Sequence, residues 1–375
     1  MKIPLAKPEI KEEDIKSVEE VLRTPNLSLG PKLLEFEEKL KEYTGVKFVV
    51  AVNSGTSALH LIIKSLDIKD EDEVITTPFS FIASSNCILF EGAKPIFVDI
   101  EDKTYTIDPN LIEAKINEKT KAILAVDVFG HPAHWNELEE IVKKYNLYLI
   151  EDSAEAIGSK YKGRMCGTFG DAGIFSFYPN KQITTGEGGV ILTNNEKIYT
   201  LSKSYRNQGR GENNKWLEHV RIGYNYRLPD INCALGISQL KRINEIIEKR
   251  RKVFEIYKYY LINIDEIILP IEREDSYVSW FNYVIRLNEK FTRNERDNLI
   301  NFLNENGIEC KNYFPAIHLQ PFYIEKFGYK RGDLPITEMV SDRTISLPFF
   351  NDLSENEIIY IKDKLKEGLF KIKKS

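Results

Sequence analysis

Short apolar runs alternate with helical patterns between residues 47 and 194, and this alternation limits the possible folds more than any other feature of the chain. The runs are nearly continuous in Val, Ile, Leu and Phe, as in strands buried on both faces of a sheet. They predict one large, mostly parallel seven-stranded sheet between helices. About ten residues separate the last two runs, which favours antiparallel pairing there. The runs are KFVVAVN, EVITTP, KPIFVDI, KAILAVDVF, LYLIED, AGIFSF and GGVILTN.

The pattern changes after residue 235. A long charged amphipathic helix, SQLKRINEIIEKRRKVFEIYKYYL, is followed by a strand (WFNYVIRL), a helix (NERDNLINFLNENG), the segment IECKNYF and a terminal helix (SENEIIYIKDKLKEGLFKIKK). This alternation predicts a smaller α/β domain. We expect a large domain over residues 1–240 and a small C-terminal domain over 241–375, joined by the long helix. A chain of 375 residues is long enough for both.

Charge and cysteine usage exclude several classes of protein. The formal net charge is −5 with acidic and basic residues interleaved, so there is no basic stripe for a nucleic acid partner. The four cysteines stand singly, without the spacing of a disulfide framework or a zinc site. Because no apolar run is long enough to span a bilayer and the N-terminus has no signal pattern, we expect a cytoplasmic protein without membrane contact.

The segment NSGTSA, residues 53–58, follows the first strand and begins a helix. In open α/β sheets ligands bind at the carboxyl ends of strands, where helix N-termini present free N–H groups. Gly55 allows close backbone approach, and Thr56 and Ser57 add hydroxyl groups. The segment therefore predicts either an anion site or an ordinary helix cap without a ligand.

Three further segments place reactive or flat side chains at strand ends. Asp152 ends the strand LYLIED and is a candidate for holding a proton on a bound cationic ring, although it could merely cap the next helix. Lys181 follows Ser176 in FSFYPNK, where aromatic neighbours would desolvate its amine into a nucleophile; alternatively it is a solvated charge. Phe81, in TTPFSFIAS, offers either a stacking face or core packing. The expected aromatic neighbours of Lys181 are Phe175, Phe177 and Tyr178.

Together the four segments are more specific than each alone. They supply a phosphate cradle, an aromatic face, a carboxylate and an amine at the ends of strands in one sheet. Pyridoxal 5′-phosphate requires this set, because its aldehyde bonds to an amine, its pyridine nitrogen pairs with a carboxylate and its phosphate needs hydrogen-bond donors. The sequence therefore predicts a pyridoxal phosphate site, and no metal. A competing metal site at GHPAH, with His131 and His134, has no evident third ligand nearby in sequence.

The sequence resembles the DegT/DnrJ/EryC1/StrS sugar aminotransferases, which are fold-type I pyridoxal phosphate enzymes. The resemblance runs nearly end to end through NSGTSALHL, DEVITTPFSFIAS, GAKPIFVDI, LIEDSAEAIGSKYKGRMCGTFGD, FSFYPNK with TTGEGG, GYNYRLPDINCALGISQL and YFPAIHLQPFY. The combination of the acidic strand end, the lysine and GEGG is highly specific.

The resemblance implies a role for each matching residue. Lys181 would bond to the cofactor, Asp152 would meet the pyridine nitrogen, and Phe81 would stack on the ring. Thr56, Ser57 and Ser176, with Gly55, would bind the phosphate, and Asn225 of GYNYR would reach the phosphate in a neighbouring subunit, which requires a homodimer. Glu155 stands where relatives carry Gln or His beside the ring hydroxyl. Asn26, Ser28, Tyr313 and His318 match positions that contact the nucleotide sugar.

The implied reaction moves an amino group from L-glutamate to a keto-deoxyhexose of a nucleoside diphosphate sugar, for surface polysaccharide or glycan synthesis. Relatives with His in place of Lys181 act as dehydratases, so the lysine favours transamination. The sequence motifs resemble those of perosamine- and bacillosamine-type enzymes. This resemblance favours a 4-keto-6-deoxy sugar over a 3-keto sugar as the acceptor. A non-catalytic regulatory protein on the same fold is a further alternative.

Overall fold

The computed structural model of the protein describes residues 2–211 and 217–373. Its strands are β1 Phe48–Val52, β2 Glu73–Thr76, β3 Lys94–Phe97, β4 Thr120–Val126, β5 Tyr148–Asp152, β6 Lys160–Tyr161, β7 Arg164–Met165, β8 Ala172–Ser176, β9 Gly189–Thr193, β10 Ile267–Ile268, β11 Ser276–Tyr277, β12 Tyr283–Leu287 and β13 Thr344–Leu347. Its helices are α1 Glu12–Leu22, α2 Pro31–Thr44, α3 Gly55–Ser65, α4 Ala83–Leu89, α5 Trp135–Tyr145, α6 Glu196–Arg206, α7 Asp230–Lys241, α8 Ile243–Leu261, α9 Arg293–Glu305, α10 Pro321–Phe327, α11 Pro335–Arg343 and α12 Glu355–Ile372. Short 3₁₀ turns lie at Pro109–Leu111, Glu113–Lys115, Val128–Gly130 and Ile317–Leu319.

The predicted seven-stranded sheet is present, with strand order β1-β9-β8-β5-β4-β2-β3. Six strands run in the same direction, and β9 is antiparallel to both β1 and β8. The strands are buried almost throughout, as expected for a sheet covered by helices on both faces. The α/β fold class is confirmed, and the antiparallel pairing falls where the short connection predicts it.

Helix α3 carries the candidate phosphate end of the site. Its N-cap is Ser54, whose hydroxyl accepts a hydrogen bond from the backbone N–H of Ser57. Most residues of α3 are buried, and it packs against α4, α6 and the β8–β9 part of the sheet. Because α3 is enclosed on several sides, its N-terminus is held firmly at the carboxyl edge of the sheet.

A second sheet, β10-β12-β13, packs with α8, α9 and α12 around a separate hydrophobic cluster. The strand β13 was not predicted. The long predicted helix is wrong as a single element, because the chain turns at Arg242 between α7 and α8. The guanidinium of Arg242 donates hydrogen bonds to Asp14 and Glu9, so contacts distant in sequence hold this break.

The first half of α8 packs with α2, α7 and β9, whereas its second half packs with the smaller sheet. This is the position expected of a helix that joins two domains. Ile3, however, pairs with Ile308 and packs in the same cluster as the smaller sheet. A boundary at residue 240 would separate Ile3 from its contacts, and the division into 1–240 and 241–375 stays a prediction. No helix among the described residues has the length and hydrophobicity to cross a membrane.

Candidate active site

A cavity of about 460 Å³ lies at the carboxyl edge of the large sheet, beside the ends of β4, β5 and β8 and the start of α3. The parallel strands deliver their C-terminal residues to one edge, so segments far apart in sequence meet there. Eight of the residues that the sequence predicts for the site line this cavity. They are Gly55, Thr56, Phe81, Asp152, Glu155, Ser176, Lys181 and Tyr313.

Lys181 lies in the turn that follows β8. The backbone N–H of Lys181 donates to the carbonyl of Tyr178, 2.9 Å away. Its Nζ lies 3.3 Å from Glu155 Oε1 and 4.0 Å from the centre of the Phe281 ring. The side chain is only 11% exposed. A largely buried amine between a carboxylate and an aromatic face is fixed in position by both. The amine is therefore presented to the cavity in a single defined place.

Asp152 is the last residue of β5, and its carboxylate lies at the buried wall of the cavity. Ser84 Oγ donates to Asp152 Oδ2 at 2.6 Å, and the N–H of Ala154 donates to Oδ1 at 3.1 Å. Burial raises the pKa of Asp152, and the hydrogen bonds and Lys181 oppose that rise. An added cation beside Asp152 would favour its ionised form further, which is the property needed to hold a proton on a ring nitrogen.

Glu155 is buried in the turn after β5. Its Oε2 accepts from the backbone N–H of Phe129 at 2.9 Å, and its Oε1 faces Lys181. Burial raises the pKa of Glu155, while Lys181 lowers it. The carboxylate thus connects the lysine to the backbone that follows β4.

Another part of the cavity lining comes from the start of α3 and the end of β8. A Cβ added at Gly55 would lie 3.0 Å from Ser176 Cβ, so glycine permits the helix N-terminus to approach this serine closely. Thr56 and Ser176 line the cavity. Ser57 does not line it, because its hydroxyl donates to Asn53 Oδ1 at 2.7 Å inside the helix cap. A helix N-terminus flanked by hydroxyl groups is suited to an anion.

Phe81 is 61% exposed at the cavity, so its ring has a free face. This differs from Phe79, which is fully buried against Tyr105 and Phe129. Of the two aromatic residues in this segment, the structure therefore leaves only Phe81 available for stacking on a ligand.

Besides Ser57, four predicted residues lie outside this cavity. Ser28 and Asn225 line a second cavity of about 450 Å³ that shares Glu187 with the first. Asn26 is exposed on the segment before α2. His318 is fully buried, and its Nε2 lies 3.1 Å from Glu338 Oε1. Its position gives no support to the predicted contact with a nucleotide sugar.

The sequence did not reveal three residues that complete the cavity. Ser84, the second residue of α4, binds Asp152, and the spacing of three residues from Phe81 could have indicated it. Phe281 and Phe314 come from the second half of the chain, and only the tertiary fold brings them here. The expected walls of Lys181 need correction: Phe175 and Phe177 pack into the core with Phe36, whereas Tyr178 and Phe281 face the cavity.

The histidines of GHPAH do not form a ligand set among the described residues. His131 is buried with its Nδ1 bonded to the carbonyl of Pro132, and burial lowers its pKa to about 4. His134 binds Glu101 and Arg273 instead. Where residues are described, one group brings three potential metal ligands together, Asp127, Glu151 and Cys166. Its carboxylate oxygens already accept hydrogen bonds from Ser153 and from backbone N–H groups.

The cavity fits pyridoxal phosphate by its own chemistry. An anion cradle at Gly55, Thr56 and Ser176 lines the same cavity as a buried carboxylate, an amine and a free aromatic face. This donor set on a sheet of this topology defines a pyridoxal phosphate enzyme of fold-type I.

Comparison with known proteins narrows this class. The DegT/DnrJ/EryC1/StrS aminotransferase family matches residues 8–366, and the chain belongs to this family. It is 38% identical to the GDP-perosamine synthase of Escherichia coli O157:H7 over 97% of this chain and 98% of the relative. The solved structure of Helicobacter pylori PseC, an aminotransferase involved in the biosynthesis of pseudoaminic acid, superimposes with a TM-score of 0.93 at 31% identity, covering 99% of this chain and 100% of that one.

The putative sugar aminotransferase Spr1654 of Streptococcus pneumoniae, solved in its pyridoxal phosphate form, gives a TM-score of 0.94 at 29% identity over 99% of this chain and 100% of that chain. The chain is therefore a pyridoxal phosphate-dependent sugar aminotransferase. The predicted enzyme class and cofactor are confirmed.

Proposed function

We propose that this enzyme transfers the amino group of L-glutamate to the C4 keto group of a 4-keto-6-deoxy sugar carried on a nucleoside diphosphate. The observation that carries the proposal is the Lys181 amine, held 3.3 Å from Glu155 in a cavity that Asp152 also lines. The similarity to a GDP-perosamine synthase supports a nucleotide sugar as acceptor. A 3-keto sugar is the alternative acceptor.

The cofactor supplies an electron sink for the bonds of the amino donor's α-carbon when it is bound. Lys181 Nζ would bond to it, and the freed amine would move a proton between the donor's α-carbon and the C4′ atom of the cofactor. Glu155 and the Phe281 ring keep the free amine beside the cavity rather than in solvent. This is the base position that proton transfer requires.

Asp152 would hold a proton on the pyridine nitrogen, with Ser84 fixing one carboxylate oxygen. Thr56, Ser176 and the first N–H groups of α3 would bind the phosphate, with Ser57 shaping the cap behind them. Phe81 would cover one face of the ring. Tyr313 in the first cavity, Ser28 in the second cavity and the exposed Asn26 are the proposed contacts of the nucleotide sugar. His318 would act only through neighbouring residues, because it is buried.

We further propose that the enzyme works as a homodimer in which Asn225 completes the phosphate site of the other subunit. Asn225 is exposed in the second cavity and does not reach the first cavity of its own subunit. Exposed apolar side chains close in sequence to Ser28 and Asn225 favour a second copy as the cover of this surface. They include Leu27, Leu29 and, at 83% exposure, Ile222.

The acceptor is tested with the pyridoxamine phosphate form of the enzyme, obtained by treatment with L-glutamate. A panel of 3-keto and 4-keto nucleoside diphosphate sugars is added, and the return of the visible absorption of lysine-bound cofactor is followed. We expect a 4-keto-6-deoxy sugar to restore it fastest. Restoration by 3-keto sugars alone would contradict C4 amination, and no bleaching by glutamate would contradict the proposed donor.

A further inference from the structure

His60 is a buried histidine that the proposed mechanism does not use. It lies on α3, one turn after Thr56, and is 4% exposed. Its Nε2 is 2.7 Å from Glu91 Oε1, and its Nδ1 is 3.2 Å from the hydroxyl of Tyr226. A ring that bonds on both sides connects the two groups rigidly, because neither nitrogen is free to turn toward water.

Glu91 also binds the chain segment that contains Tyr226. Its carboxylate accepts from Lys64 Nζ at 2.8 Å and from the Tyr224 hydroxyl at 3.3 Å. The rings of Tyr224 and Tyr226 are stacked, with centres 4.9 Å apart. Side chains of α3 and of the turn after α4 therefore hold both tyrosines by their hydroxyl groups.

Asn225 stands between these two tyrosines. The segment is extended and bonded on both sides: Asn53 N–H donates to the Tyr226 carbonyl at 2.9 Å, and Asn225 forms a bridge with Asn207. Successive side chains of an extended segment point in opposite directions. With both tyrosines directed at α3, Asn225 is directed away from it, and it lines the exposed second cavity.

We propose that His60 is a positioning residue for Asn225, and that it acts on the cofactor phosphate of the partner subunit through Tyr226. This inference rests on the proposed function, in which Asn225 crosses the subunit interface. Helix α3 would then serve both sites of a dimer: its first turn cradles the phosphate of its own subunit, and its second turn aims the asparagine that the other subunit receives.

The test measures the dissociation constant of pyridoxal phosphate from the visible absorption of lysine-bound cofactor. His60→Leu removes both hydrogen bonds, and Tyr226→Phe removes only the hydroxyl group. Losing one such hydrogen bond corresponds to about a tenfold weaker affinity. We expect roughly this loss in both variants, and no change in the control Tyr199→Phe, whose hydroxyl accepts a hydrogen bond from Lys203 on the same helix, α6.

Hybrid dimers separate an effect across the interface from an effect within one subunit. Each variant is paired with Lys181→Ala subunits, in which the lysine-bound signal is absent, so the signal reports only the site in the variant subunit. That site receives Asn225 from a subunit with intact His60 and Tyr226. We expect the hybrids to bind pyridoxal phosphate as tightly as the parent enzyme.

The same measurement on Asn225→Ala separates a failure of the inference about His60 from a failure of the proposed role of Asn225. If the Asn225→Ala hybrid regains parental affinity but the His60→Leu hybrid stays weak, His60 acts within its own subunit and the inference is overturned. If neither His60→Leu nor Tyr226→Phe weakens binding in homodimers, it is overturned as well. If Asn225→Ala homodimers bind as the parent does, the proposed role of Asn225 fails and the inference with it.

Discussion

At the scale of single residues, the candidate site depends on buried charges held by hydrogen bonds. The sequence indicated Lys181, Asp152 and Phe81, since strand ends and residue chemistry can be read locally. It could not indicate Phe281 beneath the lysine, because 100 residues of chain separate them and only the fold brings them together. It also misplaced Phe175 and Phe177, because alternation along a strand does not tell which face meets the ligand.

Asp152→Asn should retain the shape of the site but lose the charge that holds a proton on the pyridine nitrogen. We expect kcat to fall roughly 10²- to 10³-fold, the usual scale for removing one electrostatic contact of a reacting group. The matched control is Asp171→Asn, since Asp171 binds the Leu149 N–H at the opposite edge of the sheet. Steady-state kinetics check this, and equal kcat values for the two variants would contradict the role of Asp152.

The buried His131 should make the stability of the fold depend on pH. Its pKa is about 4 instead of 6.5, because burial disfavours the charged ring. The unfolded chain therefore takes up the proton first as the pH falls, and the stability present above pH 6.5 is lost as pH approaches 4. The loss amounts to about 3 kcal/mol.

Urea unfolding of His131→Gln at several pH values tests this. Glutamine does not titrate, so the variant should lose about 3 kcal/mol less than the parent between pH 7 and pH 4. Parallel pH profiles for the two proteins would show that His131 does not contribute.

At the scale of secondary-structure elements, the large sheet could be predicted because its strands are continuous apolar runs with little ambiguity. The smaller sheet could not be predicted to the same extent. Strand β13 has four residues between a helix and Pro348, too short for a clear pattern. The break between α7 and α8 depends on hydrogen bonds from Arg242 to residues near the N-terminus. The periodicity of the local sequence carries no information about such distant contacts.

The turn between β1 and α3 is packed directly against β9. A Cβ at Gly189 would lie 2.5 Å from the Ser54 carbonyl carbon and oxygen, so Gly189→Ala must displace the start of α3. We expect a stability loss of about 1–3 kcal/mol and weaker binding of pyridoxal phosphate. In the control, Gly163→Ala, the added Cβ meets no atom within 4 Å, and only backbone strain at φ +82° remains.

Thermal unfolding and a cofactor titration separate these effects. Both variants should unfold at lower temperature, but only Gly189→Ala should bind the cofactor more weakly. Unchanged affinity in Gly189→Ala would contradict a phosphate cradle at the start of α3.

At the scale of the whole molecule, one subunit has a complete lysine and carboxylate site, whereas Asn225 faces outward. The resemblance to a family implied this division, and a single chain could not have revealed it. Ile222→Asp places a charge on an exposed apolar side chain, which should weaken the proposed dimer at least about tenfold. The control is Ile262→Asp at another exposed isoleucine.

Sedimentation equilibrium checks the expected shift toward monomer. Cofactor affinity should fall in parallel, because monomers lack the second subunit's Asn225. A dimer of unchanged strength in Ile222→Asp would place the interface elsewhere.

The central claim is that Lys181 is the residue that bonds to the cofactor. The most direct measurement is borohydride reduction of the enzyme loaded with pyridoxal phosphate, followed by peptide mapping. We expect the pyridoxyl group on Lys181, and its absence from that peptide in Lys181→Ala. A pyridoxyl group on another lysine of the parent enzyme, with Lys181 unmodified, would contradict it.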